Sequence, residues 1–208
     1  MTLIYCIENK GIARRLRILF ILAFSILSQP IEAQEKLERE YRIAAEHVPE
    51  KAKSFIKATY LNAKAKWYRE EGLSGFTLEA KLKWKGQRHS VEFDTLGNLQ
   101  DIEIGIKFEE VEDIARKQIE THLQTNFQHY RIVKTQVQLK GSSAQLQRIV
   151  GNQTRETTEE LIINYELIIK AKSSEDKINS FYEILVNKQG EVIKLSKIVE
   201  RAVNHLIF

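Results

Sequence analysis

The sequence predicts an α+β protein built of two tandem repeats, each a helix packed on a curved antiparallel β-sheet. Three observations predict it. Apolar residues at helical spacing are followed by runs that alternate apolar and polar. That order occurs twice along the chain. A short strand–turn–strand element is also echoed: Phe93-Asp94-Thr95-Leu96-Gly97-Asn98-Leu99 and Val186-Asn187-Lys188-Gln189-Gly190-Glu191-Val192. In both, Asp or Asn opens a tight turn by bonding its own backbone, and Gly supplies a positive φ. Echoes of this kind mark repeat architectures.

Composition fits a folded protein. Of 208 residues, 43% are hydrophobic and 29% charged, which excludes a disordered chain. One Cys excludes a disulfide scaffold. Residues 1–33 read as a signal peptide: Lys10, Arg14, Arg15 and Arg17 precede the apolar run Ile18–Leu27, and Ala33 is a small residue at the expected cleavage site. Ten apolar residues span only about 15 Å as a helix, half of a bilayer core. The expected location is therefore periplasmic or secreted. The chain after Ala33 holds 28 basic and 26 acidic residues, a charge of +2, and no Cys. That charge makes nucleic acid an unsuitable partner.

The first repeat is expected over 34–106. Residues 35–47 read as a leading helix with Leu37, Tyr41 and Ala44 inward. A second helix spans Pro49 to Leu61, with Val48, Ala52, Phe55, Ile56 and Tyr60 on one stripe. A short strand covers Ala63 to Arg69. Phe76 to Lys85 then alternates strictly, with Leu78, Leu82 and Trp84 on one side and Lys81, Lys83 and Lys85 on the other. Gly86-Gln87 turns it into Val91–Phe93, and Leu99 to Ile106 returns.

The second repeat is expected over 107–208. Its helix runs from Glu109 to Phe127, with four acids in the first turn, where the helix dipole favours them. Strands follow at Tyr130–Leu139, Leu161–Ala171, Phe181–Asn187 and Glu191–Val199. The polar stretch 141–159 reads as an insertion, and Val199–Phe208 as an apolar tail.

Val48-Pro49, the helix ending in Phe55 and Tyr60, Ala65, Trp67, Glu70, and Val91-Glu92-Phe93-Asp94 with Gly97-Asn98-Leu99 resemble the PepSY-like proteins of bacterial envelopes. Those are similar in fold to the tandem-repeat β-lactamase inhibitor proteins. The resemblance is best over 42–106 and looser over 108–200. It departs where the family often has Tyr-Pro after the helix; here Tyr60-Leu61 stands. It implies a secreted or periplasmic module that binds rather than catalyses. Inhibition of a β-lactamase does not follow from it.

Catalytic motifs are absent. There is no G-x-S-x-G elbow, no H-E-x-x-H and no Gly-rich phosphate loop. The five His, at 47, 89, 122, 129 and 205, are scattered. No enzyme activity, cofactor or metal is expected. The best local patch is Lys81, Lys83, Lys85 and Arg88, which suits an acidic partner or, equally, a solvated or Lys-guarded edge. Trp67 and Tyr68 are candidate aromatic contacts. The expected function is a non-enzymatic module that recognises a protein or peptide through a sheet face and hairpin loops. The alternative is a carrier of an apolar or amphiphilic small molecule, suggested by the apolar excess in 161–186.

Overall fold

The computed structural model describes residues 34–72, 75–151, 161–173 and 178–200. The candidate signal peptide, residues 152–160 of the expected insertion and the tail from 201 lie outside the described residues. Among the described residues, nine strands form one sheet: β1 (Gln34–Ile43), β2 (Lys66–Gly72), β3 (Gly75–Trp84), β4 (Gln87–Phe93), β5 (Leu99–Gly105), β6 (Phe127–Lys140), β7 (Ile162–Ser173), β8 (Ser180–Asn187) and β9 (Val192–Glu200). Each strand is antiparallel to the next. β1 and β9 pair in parallel, which closes the ring. Three α-helices among the described residues accompany the sheet: α1 (Glu50–Thr59), α2 (Asp113–Asn126) and α3 (Ser143–Val150).

This corrects the expected fold class. The molecule is mainly β, and it is not two tandem helix-on-sheet repeats. Ile102–Gly105 of β5 pair with Leu139–Gln136 of β6, so one sheet runs through the point where two were expected to separate. Two sheets would have left β5 and β6 as open edges with unpaired backbone groups, and joining them satisfies part of that need.

The expected leading helix at 35–47 is also corrected. It is strand β1 followed by a single 3-10 turn at Ala45–His47. Glu, Lys, Leu and Arg favour a helix locally, but pairing with β2 on one side and β9 on the other outweighs that preference. Within the expected insertion, Ser142 caps α3 by accepting from the Gln145 amide at 3.3 Å. Leu146 and Val150 of α3 then join the core.

Period-2 alternation divides every strand between two faces. One face is apolar and carries the helices. Ala52, Ile56 and Tyr60 of the α1 segment pack on Leu78, Ala80, Val91, Phe93 and Ile102. Ala115, Ile119 and Leu123 of α2 pack on Leu167, Ile169, Ile184 and Val186. Each such aliphatic or aromatic side chain contributes roughly 1.5–3 kcal/mol on burial.

The two echoed turns seat these helices. Asp94 Oδ1 accepts from the amides of Leu96 and Asn98 at 2.9 and 2.8 Å. Asn187 Oδ1 accepts from Gln189 and Glu191 at 3.0 and 2.9 Å. Gly97 and Gly190 have φ of 81° and 87°. A Cβ on Gly97 would lie 2.9 Å from Pro49 Cβ, and one on Gly190 would lie 2.6 Å from Gln118 Cβ. Glycine is needed at both positions for conformation and for helix approach.

Candidate functional site

The second face of the sheet looks away from the helices and is polar. Its residues are the alternate members of the same strands: Glu79 and Lys81 on β3, Ser90 and Glu92 on β4, Asp101 and Glu103 on β5, Gln136 and Gln138 on β6. Cross-strand pairing brings them together. Glu79 lies opposite Glu92, Glu92 opposite Asp101, Ser90 opposite Glu103, and Glu103 opposite Gln138. Asn164 and Glu166 continue the face on β7, and Glu183 and Ser196 on β8 and β9.

Carboxylates outnumber the cations that reach them. Lys81 Nζ donates to Glu40 at 2.6 Å and lies 3.2 Å from Glu79. Ser90 Oγ also donates to Glu79. Lys36 pairs with Glu183 and sits 3.7 Å from Glu70. Lys140 reaches Asp101 at 3.6 Å. Gln138 is fixed at both ends: Nε2 donates to Asp101 Oδ2 at 3.3 Å, and Oε1 accepts from Asn164 at 3.0 Å.

Burial disfavours the ionised form of a carboxyl group. It pushes Glu79 up to about 7, against the opposing charge of Lys81 and with further elevation from Glu40 and Glu70. Burial pushes Asp101 up to about 6, with Lys140 opposing. Glu92, Glu103 and Glu166 are raised by burial first and by neighbouring carboxylates second. On the helix side, burial lowers His89 to about 4, and Lys85 adds to the effect. Its Nδ1 lies 3.2 Å from Tyr60 Oη, so this His is held in the core.

The ring is split on one side. β5 ends at Gly105, opposite Gln136, while β6 runs back to Phe127. Among the described residues, no strand pairs with the β5-facing edge of β6 from Phe127 to Thr135. Only the Ile106 amide reaches across, to Thr135 O at 3.0 Å. A groove of about 710 Å³ fills this split. Arg88, Lys107 and Lys134 line it with Glu109, Glu110, Phe108, Ile132 and Val133, and Ser90 and Gln136 form part of its lining next to the carboxylate face.

The sequence-predicted site residues are dispersed by this geometry. Trp67 is 6% exposed and packs on Phe93 with ring centroids 5.9 Å apart. Tyr68 lies on the opposite face, half-buried, with Lys81 Nζ 5.0 Å from its ring centre. Lys81 is itself buried and ion-paired. Lys83, Lys85 and Arg88 are exposed, and Lys83 lies opposite Arg88. Lys85 occupies the hairpin turn with φ of 48° and donates to Val150 O at 3.4 Å. Lys83 and Arg88 are thus brought together beside the split, whereas Trp67 and Lys81 are interior.

Glu92, Asp101, Glu103, Gln136 and Glu166 were not anticipated as a group. Their signal was the polar member of each alternating pair, which ordinarily reads as a water-facing residue. Only the register and ring closure bring them together. Among the described residues, the carboxylate group contains no histidine: His89 is in the core, His122 contacts Asn126 on α2, and His47 and His129 are exposed. No helix among the described residues is long and apolar enough to cross a membrane.

No family model matches the chain, and no curated protein does. Several solved structures are similar. A BLIP-like protein from Bacteroides fragilis is 11% identical with a TM-score of 0.46, over 76% of this chain and 92% of that one. A DUF2874 family protein from Bacteroides ovatus is 14% identical with a TM-score of 0.46, over 72% and 87%. A DUF2874 family protein from Bacteroides uniformis is 13% identical with a TM-score of 0.46, over 72% and 89%.

Proposed function

We propose that the protein is a non-enzymatic binding module of the secreted or periplasmic space, and that it takes an extended, acidic segment of a protein partner into the split between β5 and β6. The observation that carries this reading is the strand edge of β6 from Phe127 to Thr135, which has no strand partner among the described residues and whose Ile132–Thr135 end lines the 710 Å³ groove. An open edge binds an extended chain through backbone hydrogen bonds, and flanking side chains supply selectivity. Arg88, Lys107 and Lys134 outnumber Glu109 and Glu110 in the lining and favour acidic side chains on that segment, and Phe108, Ile132 and Val133 favour apolar ones between them. Lys83, beside Arg88, extends the basic rim. The signal-peptide pattern of 1–33 supports the location, and the PepSY-like residues at 48–99 agree with a binding role.

The alternative, a carrier of an apolar small molecule, finds less support. The face opposite the helices is lined chiefly by carboxylates and amides, which such a cargo would strip of water at a cost.

The test is fluorescence anisotropy with short synthetic peptides. One alternates Glu with Val and Phe, a second replaces Glu by Lys, and a third is a Pro-rich scramble of the first. The acidic peptide binds, and Lys134→Glu weakens it at least about tenfold, a loss of about 1.4 kcal/mol. Equal binding of the acidic and basic peptides would contradict the reading.

A further inference from the structure

The carboxylate face holds more acceptor oxygens than donors at one particular place. Glu92, Asp101 and Glu103 each bring a carboxylate oxygen within 4.8 Å of the other two. Asp101 spends Oδ2 on Gln138 and Lys140, while its Oδ1 is buried with no hydrogen-bond donor. Gln136 supplies a second, independent sign. It is 3% exposed, and its Oε1 is buried with no donor. Its cross-strand partner on β5 is Gly105, which has no side chain, and Glu103 is the next residue along that face of β5. Gln136 therefore stands diagonally across the β5–β6 pairing from Glu103, opposite a residue that has no side chain.

From this geometry we infer that Glu92, Asp101, Glu103 and the Gln136 carbonyl oxygen form a binding site for a hard divalent cation of calcium size. All four donors are oxygens, the ligand type that calcium takes, with no imidazole or thiolate to favour zinc or copper. Calcium–oxygen distances are about 2.3–2.6 Å, so opposite ligands of one ion stand roughly 4.6–5.2 Å apart. Oxygens within 4.8 Å of one another are therefore close enough for all three carboxylates to share one ion after small side-chain adjustments. Magnesium prefers a strict octahedron and gives up its waters reluctantly, which suits a buried site built of protein oxygens less well. A cation also supplies the partner that two orphaned buried oxygens need, since such atoms cost roughly 1–3 kcal/mol each when unpaired.

The groove provides the way in. Ser90 and Gln136 line it, and both are neighbours of Glu103: Ser90 across the β4–β5 pairing and Gln136 diagonally across β5–β6. The ion needs no peptide in the groove, so calcium binding stands or falls independently of the proposed function.

Isothermal titration calorimetry and thermal unfolding test it on protein freed of metal by a chelator, with calcium chloride raised to about 10 mM. Extracellular calcium modules bind with Kd of about 0.1–1 mM, so saturation is reached. Wild type should bind one calcium, and its Tm should rise by at least about 3 °C. Asp101→Asn and Glu103→Gln keep shape and remove charge; each should lower affinity at least about tenfold. Glu183→Gln, an interior acid outside the cluster, should bind as wild type does. The wild-type titration stands alone if a variant fails to fold. No saturable heat and no Tm shift in wild type would overturn the inference. Undiminished binding in both Asp101→Asn and Glu103→Gln would overturn it as well.

Discussion

The two faces of the sheet come from the same strands and have opposite physical roles. Leu167 and Glu166 are neighbours in β7, one buried under α2 and the other among carboxylates. The helix-covered face gains stability from every side chain it removes from water. The polar face does the reverse: it gathers Glu79, Glu92, Asp101, Glu103 and Glu166, and burial works against their charged forms. The difference teaches that stability here resides under the helices, and that the polar face is retained at a cost, as binding surfaces are.

The sharpest way to break the comparison is at a helix seat. Gly190→Val should cost more than about 3 kcal/mol or prevent folding. A Cβ there meets Ala115 O at 2.8 Å, and the 87° φ disfavours a β-branched residue. Urea midpoints measure the loss.

Next, Leu167→Ala should cost about 2–5 kcal/mol through the cavity it leaves. Its neighbour Glu166→Gln should be neutral or stabilising at pH 8, because it removes a carboxylate whose charged form is disfavoured first by burial and then by Glu103 and Glu183. Opposite signs at adjacent residues, read by chemical denaturation, would sharpen the contrast. Equal losses would erase it.

A pH series gives a smaller and more specific effect. Glu79 has a folded value near 7, above its ordinary 4.5, so the native state holds the proton more tightly than the unfolded chain. Its contribution is fully present below about 4.5 and is lost as pH rises toward 7. Every tenfold difference in proton affinity between the two states corresponds to about 1.4 kcal/mol. His89 has the opposite sign: lowered to about 4 from 6.5, it withdraws stability as pH falls through that range. Glu79→Gln should flatten the loss between pH 4.5 and 7 while leaving the His89 slope intact. The smallest effect is expected at Lys83, whose replacement by Ala should change stability by less than about 0.5 kcal/mol.

Much of the local structure was legible because it rests on local rules. The α1 stripe, the alternation of β3 and the turns at Asp94 and Asn187 are all set within a few residues. What pairs with what was not legible. Residues 35–47 carry a helix-forming composition, and pairing with β2 and, from much further along the chain, with β9 makes 34–43 a strand. The same holds for the site. Glu103 and Gln138 are polar members of alternating strands and read as water-facing; opposite pairing across β5–β6 turns them into a buried group. Lys81 was read as part of an exposed row for the same reason, and Glu40 on β1 is the partner that local reasoning could not supply.

The central claim is that the open edge of β6 receives an extended acidic chain. Hydrogen exchange of the backbone amides from Phe127 to Lys134, with and without the acidic peptide at saturation, tests it most directly. The account predicts added protection at alternate amides along that edge, with little change in β8 and β9. Protection confined to other strands, or none while the peptide is bound, would contradict it.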